Sequence, residues 1–229
     1  MTRMINRSPK RNYQNLSNKV IHNAYMKGKI IAITGGPRTG KSTLVKLLAK
    51  KLSAKSFLEG EEKDFPPRIW EDIQTGSRML ELLVWFRNKG VKDYLEAMKI
   101  KENGGVVILD AFWATNDVYV DEWISDQLEK DIMKDLAKTD YATLPWPDLV
   151  ISLYSNKEKI KEFESLGGRK FELTEQFLQK QANLNNTHEK YFRSLKRSNI
   201  KFIDRSNLDY SDPKQLECLI EEIKEFLVL

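Results

Sequence analysis

Lys29 to Leu52 reads KIIAITGGPRTGKSTLVKLLAKKL, and the order of residue types in this stretch decides the fold. Lys29–Thr34 (KIIAIT) is a short apolar run of the kind that forms a strand buried on both faces. It runs straight into glycines. Ser42–Leu52 then sets Leu44, Val45, Leu47, Leu48 and Leu52 on one side of a helix. Between them lies Gly35-Gly36-Pro37-Arg38-Thr39-Gly40-Lys41-Ser42, which matches G-x-x-x-x-G-K-[ST]. Glycines let such a turn aim its backbone N–H groups inward as a nest for oxyanions. Lys41 brings positive charge to the β- and γ-phosphates, Ser42 a hydroxyl for Mg²⁺, and the helix starting there its positive dipole end. The flanking strand and helix are the context that this motif requires. Gly35, Gly36, Pro37, Arg38, Thr39, Gly40, Lys41, Ser42 and Thr43 are therefore expected to cradle ATP together with Mg²⁺.

Outward from this loop, apolar runs alternate with amphipathic ones. Strands are expected around Lys55–Glu59 and at Val106–Asp110 (VVILD), Asp148–Leu153 (DLVISL) and Ile200–Asp204 (IKFID). Helices are expected over Ile69–Lys101, divided at Gly90, and over Asp121–Ala137, Lys157–Leu166, Thr174–Leu195 and Asp212–Leu229. Short apolar strands separated by helices imply a parallel five-stranded sheet covered on both faces, an α/β three-layer sandwich. The long insertions follow strands two, three and four, at the carboxyl ends where such sheets build their sites.

The composition fits this reading. The 229 residues are 41% hydrophobic, enough for one sizeable domain, expected at 29–229. No apolar run approaches the roughly 18 residues of a membrane span, and no secretory signal opens the chain. One cysteine, Cys218, permits no internal disulfide, which suits a reducing compartment such as the cytoplasm. The net charge of +5 is uneven: residues 1–29 hold seven Lys and Arg and no acid. The basic extension at 1–28 reads as a solvated arm, a contact for nucleic acid, or an organelle transit segment.

Other residues stand out for chemistry. Asp110 ends a buried-type strand and would hold Mg²⁺ or orient an acceptor oxygen if it lies beside the loop, or else simply cap the strand's end. Arg87, closing the apolar helical stretch Leu83–Arg87, calls for an anionic partner or solvent. Phe65 and Trp70 offer either base-stacking or core-packing rings. Arg169-Lys170, beside Gly167-Gly168, suit a lid over a nucleotide or a solvated basic turn. Arg38, inside the loop itself, could stabilise charge on a transferred phosphoryl group.

Taken together these residues resemble the thymidylate kinase and deoxynucleoside kinase group of P-loop kinases. GGPRTGKST is similar to the thymidylate kinase loop that carries an arginine at the position of Arg38. Asp110–Tyr119 (DAFWATNDVY) resembles the group's D-R-Y-x-x-S-x-x-A-Y, with Asp110, Phe112, Thr115 and Tyr119 in place. Leu83–Arg87 resembles the helix whose arginine contacts the acceptor, and Pro147-Asp148-Leu149 the group's P-D-L element. Gly168–Phe192 looks like a deoxynucleoside kinase lid and its following helix. Ala111 stands where the group has arginine, and Pro37 where thymidylate kinases have an acid.

The resemblance implies strand order 2-3-1-4-5, a helical lid, and transfer of the ATP γ-phosphoryl to a nucleoside or nucleotide. It implies catalytic roles for Lys41, Arg38, Asp110 and Arg169, metal binding by Ser42 and Asp110, and acceptor binding by Glu59, Arg87 and Phe112. A homodimer is compatible with it. Two alternatives stay open: a kinase of another small molecule or peptide, and a P-loop ATPase or switch without a nucleotide acceptor.

Overall fold

The computed structural model describes residues 28–60, 64–167 and 174–228, and in them strands and helices alternate as the apolar pattern demands. The order is β1 (Lys29–Gly35), α1 (Lys41–Leu52), β2 (Lys55–Phe57), α2 (Pro67–Thr75), α3 (Met79–Glu102) and β3 (Val106–Asp110). A 3₁₀ segment, Thr115–Tyr119, leads into the single turn α4 (Val120–Trp123). Then come α5 (Gln127–Thr143), β4 (Leu149–Tyr154), α6 (Lys157–Gly167), α7 (Glu175–Ser194), β5 (Ile200–Asp204) and α8 (Pro213–Val228).

The five strands are parallel in the order β2-β3-β1-β4-β5. Successive side chains alternate across a sheet, and here each face builds its own core. Ile30, Ala32, Val107, Leu109 and Val150 pack with Leu83, Tyr94 and Ala97 of α3 and Leu184 and Phe192 of α7. Ile31, Ile33, Ile108, Leu149 and Ile151 pack with Leu44, Val45 and Leu48 of α1 and Leu216, Leu219 and Ile223 of α8. The register sets Ile33 opposite Asp110 and Gly35 opposite Leu153, so the carboxyl ends of β1, β3 and β4 lie side by side. Asp148 pins the other end of the sheet. Its carboxylate accepts the Ile30 N–H at 2.7 Å and the Lys101 ammonium at 2.8 Å, which gives the Pro-Asp-Leu segment a structural task far from the glycine loop.

Three expected boundaries are corrected. β2 ends at Phe57, because β2 pairs only with β3 and the register closes at Phe57 opposite Leu109. Gly90 does not divide a helix: α3 runs through it for 24 residues, and the break comes at Gly76, whose φ of 67° caps α2. The helix expected over Asp121–Ala137 is two pieces, separated where Asp126 caps α5 by accepting the Glu129 N–H.

Candidate functional site

The glycine loop sits at the carboxyl end of β1 under tight steric control. A Cβ on Gly35 would meet the Leu153 carbonyl oxygen at 2.6 Å, and one on Gly36 would meet the Asn185 side chain at 2.5 Å. Asn185, on α7, donates to the Pro37 carbonyl at 2.9 Å and so clamps the loop from above. The buried Thr39 hydroxyl and the Lys41 ammonium both donate to the Gly36 carbonyl, at 2.9 and 3.0 Å. Gly40 turns the chain into α1 with a φ of 80°. Arg38 takes a φ of 58°, a left-handed conformation that costs a side-chain-bearing residue about 1–2 kcal/mol. Its Nε donates to Glu164 Oε1 on α6 at 3.0 Å, and that glutamate is fully buried.

Asp110 lies beside the loop as its strand position requires. Ser42 Oγ donates to Asp110 Oδ2 at 2.5 Å, while Asp110 Oδ1 is buried with no hydrogen-bond partner among the described residues. A hydroxyl and a carboxylate with an unused buried oxygen are hard donors of the type that Mg²⁺ takes. Glu59, just past β2, lines a small cleft with Asp110, Ala111, Lys89, Asp93 and Asn116. Burial and the Asp110 carboxylate push Glu59 up to about 7, against the opposing pull of Lys41 and Lys89. Lys89 is itself fastened to the Leu58 carbonyl at 2.8 Å and to Asp93 at 2.6 Å. Ala111 turns the chain away from β3 with a φ of 70°.

Two larger pockets meet at Arg38. One, of about 520 Å³, opens beyond Pro37 and Arg38 between α2, α3, α4 and α7. Ile73, Leu82, Phe86, Trp123, Phe177 and Leu184 make its walls apolar, and the amides Gln74, Gln181 and Asn183, the acids Glu122 and Glu164 and the cation Lys180 add polar groups. It shares Phe86 with the cleft of Glu59 and Asp110. The other, of about 600 Å³, lies on the far side of the loop, lined by Gly40, Lys41, Ser42 and Thr43 and by Phe163, Arg205 and Tyr210. The Arg205 guanidinium lies 4.4 Å over the Tyr210 ring and 5.6 Å from that of Phe163. Nothing in its own neighbourhood of sequence marked Arg205, because the loop it faces is remote in the chain.

Several expected site residues have partners within the fold. Arg87 grips Asp140 of α5 through both ends of a fork, Nε to Oδ2 at 2.7 Å and Nη2 to Oδ1 at 2.5 Å. Its neighbour Phe86 lines both the small cleft and the pocket of about 520 Å³. Phe112 is 1% exposed, set against Trp113, Trp146 and Phe192, so it is first a core residue, and only its edge borders the small cleft. Phe65 and Trp70 stack on each other, and Phe65 meets Trp85 and Phe86 edge-on. Arg169 and Lys170 lie outside the described residues, as do residues 1–27 of the extension.

Two buried ionisable groups have environments that only the tertiary fold creates. His188 on α7 is fully buried, bonded to Thr34 Oγ1 at 2.8 Å, and burial with Lys41 nearby lowers it to about 3. Asp117 lies near the Arg87–Asp140 pair. Burial and Asp140 raise it to about 7, while Tyr191 and Arg87 oppose this. Both belong to helical segments whose polar residues look solvated until the tertiary fold covers them.

No protein-family model matches the chain. Over 163 residues, 64% of this chain and 69% of the relative, it is 31% identical to the deoxyadenosine/deoxycytidine kinase of Bacillus subtilis strain 168. A structure of M. mycoides deoxyadenosine kinase with the products dCMP and dCDP superposes with a TM-score of 0.67 at 19% identity, covering 86% of this chain and 99% of that one. Thymidylate kinase from Candida albicans gives 0.62 at 20% identity, covering 88% and 94%. Both structural likenesses speak for the fold.

Proposed function

Because the chain belongs to the deoxynucleoside kinase family of P-loop phosphotransferases, we propose that it moves the γ-phosphoryl of ATP to the 5′-hydroxyl of a deoxynucleoside. The observation that carries this reading is the meeting of two pockets at Arg38, one holding Lys41 and Ser42, the other apolar-walled and edged with amides, Glu122, Glu164 and Lys180. Donor and acceptor bound one in each pocket would lie end to end across the phosphate loop. Phosphoryl transfer needs this placement more than it needs covalent chemistry from the protein.

The roles follow from position. The backbone of Gly36–Thr43 and the Lys41 ammonium receive the donor phosphates, and Arg205 and Tyr210 offer a flat seat for the donor base. Ser42 and Asp110 would hold Mg²⁺, which supplies charge neutralisation at the phosphates when bound. Arg38 stands at the junction and stabilises charge on the group in transit. Glu59 accepts the proton of the acceptor hydroxyl as its oxygen bonds to the γ-phosphorus and ADP departs.

A hydroxyl acceptor fits better than a monophosphate. Arg87, the cation expected for an acceptor phosphate, is held by Asp140, and position 111 carries an alanine. The cleft next to the junction instead offers Glu59. The Bacillus subtilis relative, a deoxyadenosine/deoxycytidine kinase, favours the same class of acceptor. ADP release with Mg-ATP and a panel of deoxynucleosides and their monophosphates tests this. A rate that rises with one or more deoxynucleosides supports it, and a rate that answers only to monophosphates overturns it.

A further inference from the structure

Arg38 holds an unusual place: it lines both large pockets, yet its backbone is in a left-handed conformation that only strong tertiary restraint maintains. That restraint comes from two helices. Asn185 of α7 holds the Pro37 carbonyl and fills the space above Gly36, which fixes the main chain. Glu164 of α6 takes the Arg38 Nε at 3.0 Å. The glutamate side chain is 0% exposed and that of the arginine 33% exposed. A carboxylate removed from water needs a charged partner. An isolated helix face would not bury one without cause.

We infer that Glu164 is a positioning residue for phosphoryl transfer, holding the Arg38 guanidinium at the junction of the donor and acceptor pockets. The inference rests on the proposed reaction and goes one step past it, to a buried residue on the wall of the acceptor pocket whose effect on transfer is exerted through Arg38. A guanidinium is a rigid planar fork, so a bond to Nε sets the plane of its terminal nitrogens. Arg38 carries charge stabilisation only if that plane is set before the phosphoryl group moves. The strand-to-helix turn supplies the arginine, and α6, over a hundred residues later, supplies its orientation.

The test is a double-substitution cycle in the full chain. Glu164→Gln keeps the shape and an acceptor oxygen but removes the charge. It is expected to lower kcat roughly 10- to 100-fold with KM for both substrates within about twofold, as misplacement of a group acting in the transition state does. In an Arg38→Met background the same change is expected to cost nothing further, because its target is gone. An equal loss in both backgrounds, or no loss in the wild-type background, overturns the inference.

The cycle is also read on the tightening of ADP binding by aluminium fluoride, a transition-state mimic that needs no acceptor. Coupling in that binding upholds the role of Glu164 even if no nucleoside proves to be a substrate, and additive effects there overturn it. Silence of the wild type with every nucleoside would count against the proposed reaction alone.

Discussion

Gly36 has no room for a side chain: a methyl group would sit 2.5 Å from the Asn185 carboxamide carbon and 2.7 Å from its Cα. Because Asn185 is held on α7, neither side yields cheaply. Gly36→Ala is expected to weaken ATP binding at least about 100-fold, since the nest of N–H groups opens when the loop is displaced; titration calorimetry measures it, and unchanged affinity would contradict the geometry. Arg87 is the opposite case, a residue whose chemistry suggests a site and whose fork is taken by a buried acid of the same fold. Asp140 is 4% exposed, so removing the cation strands a buried carboxylate. Arg87→Met is expected to lower stability by about 3–5 kcal/mol in urea unfolding, with acceptor KM unchanged. A raised KM at unchanged stability would return Arg87 to the acceptor.

At the scale of elements, α3 shows that a glycine within a helix need not break it. Gly90 lies within α3 with Trp113 N 3.5 Å from where a Cβ would stand, an ordinary contact distance. Gly90→Ala is therefore expected to be neutral or to stabilise by up to about 1 kcal/mol, the helix propensity gained. Thermal unfolding decides, and a loss beyond about 1 kcal/mol would mark a break there. The same contrast explains how much was legible in the sequence. Strands β1, β3, β4 and β5, the loop and α1 are written in contiguous residues, so their chemistry reads directly. Gly90 looked like punctuation because its packing partner lies beyond the helix. Glu164 and Asn185 reach the loop, and His188 the end of β1, from 126, 148 and 154 positions away, so even where the resemblance over Gly168–Phe192 marked a helix, its bonds to the loop were not legible. Arg87 was legible as a cation in need of an anion, but not as the partner of Asp140, 53 residues on.

For the whole molecule, buried ionisable groups set the response to pH. His188 is lowered to about 3 in the folded state against 6.5 in an open chain. Protons therefore bind the unfolded chain first, and this group's contribution to stability falls as pH drops from 6.5 toward 3. Asp117, raised from 3.8 to about 7, works in the other direction: the stability it contributes at low pH is lost as pH rises from 3.8 to about 7. His188→Gln, which keeps a partner for Thr34, is expected to flatten the acid limb by up to about 1.4 kcal/mol per pH unit below pH 6.5. Denaturant midpoints across pH 4–7 measure it, and an unchanged acid limb would contradict a neutral buried imidazole.

Phosphoryl transfer across the junction of the two pockets is the central claim for the molecule. Phosphorus NMR of the wild-type chain with Mg-ATP and deoxyadenosine or deoxycytidine tests it most directly. The predicted result is a nucleoside 5′-monophosphate resonance growing one for one with ADP, and absent in Lys41→Ala. Inorganic phosphate accumulating at the same rate with and without a nucleoside would contradict it.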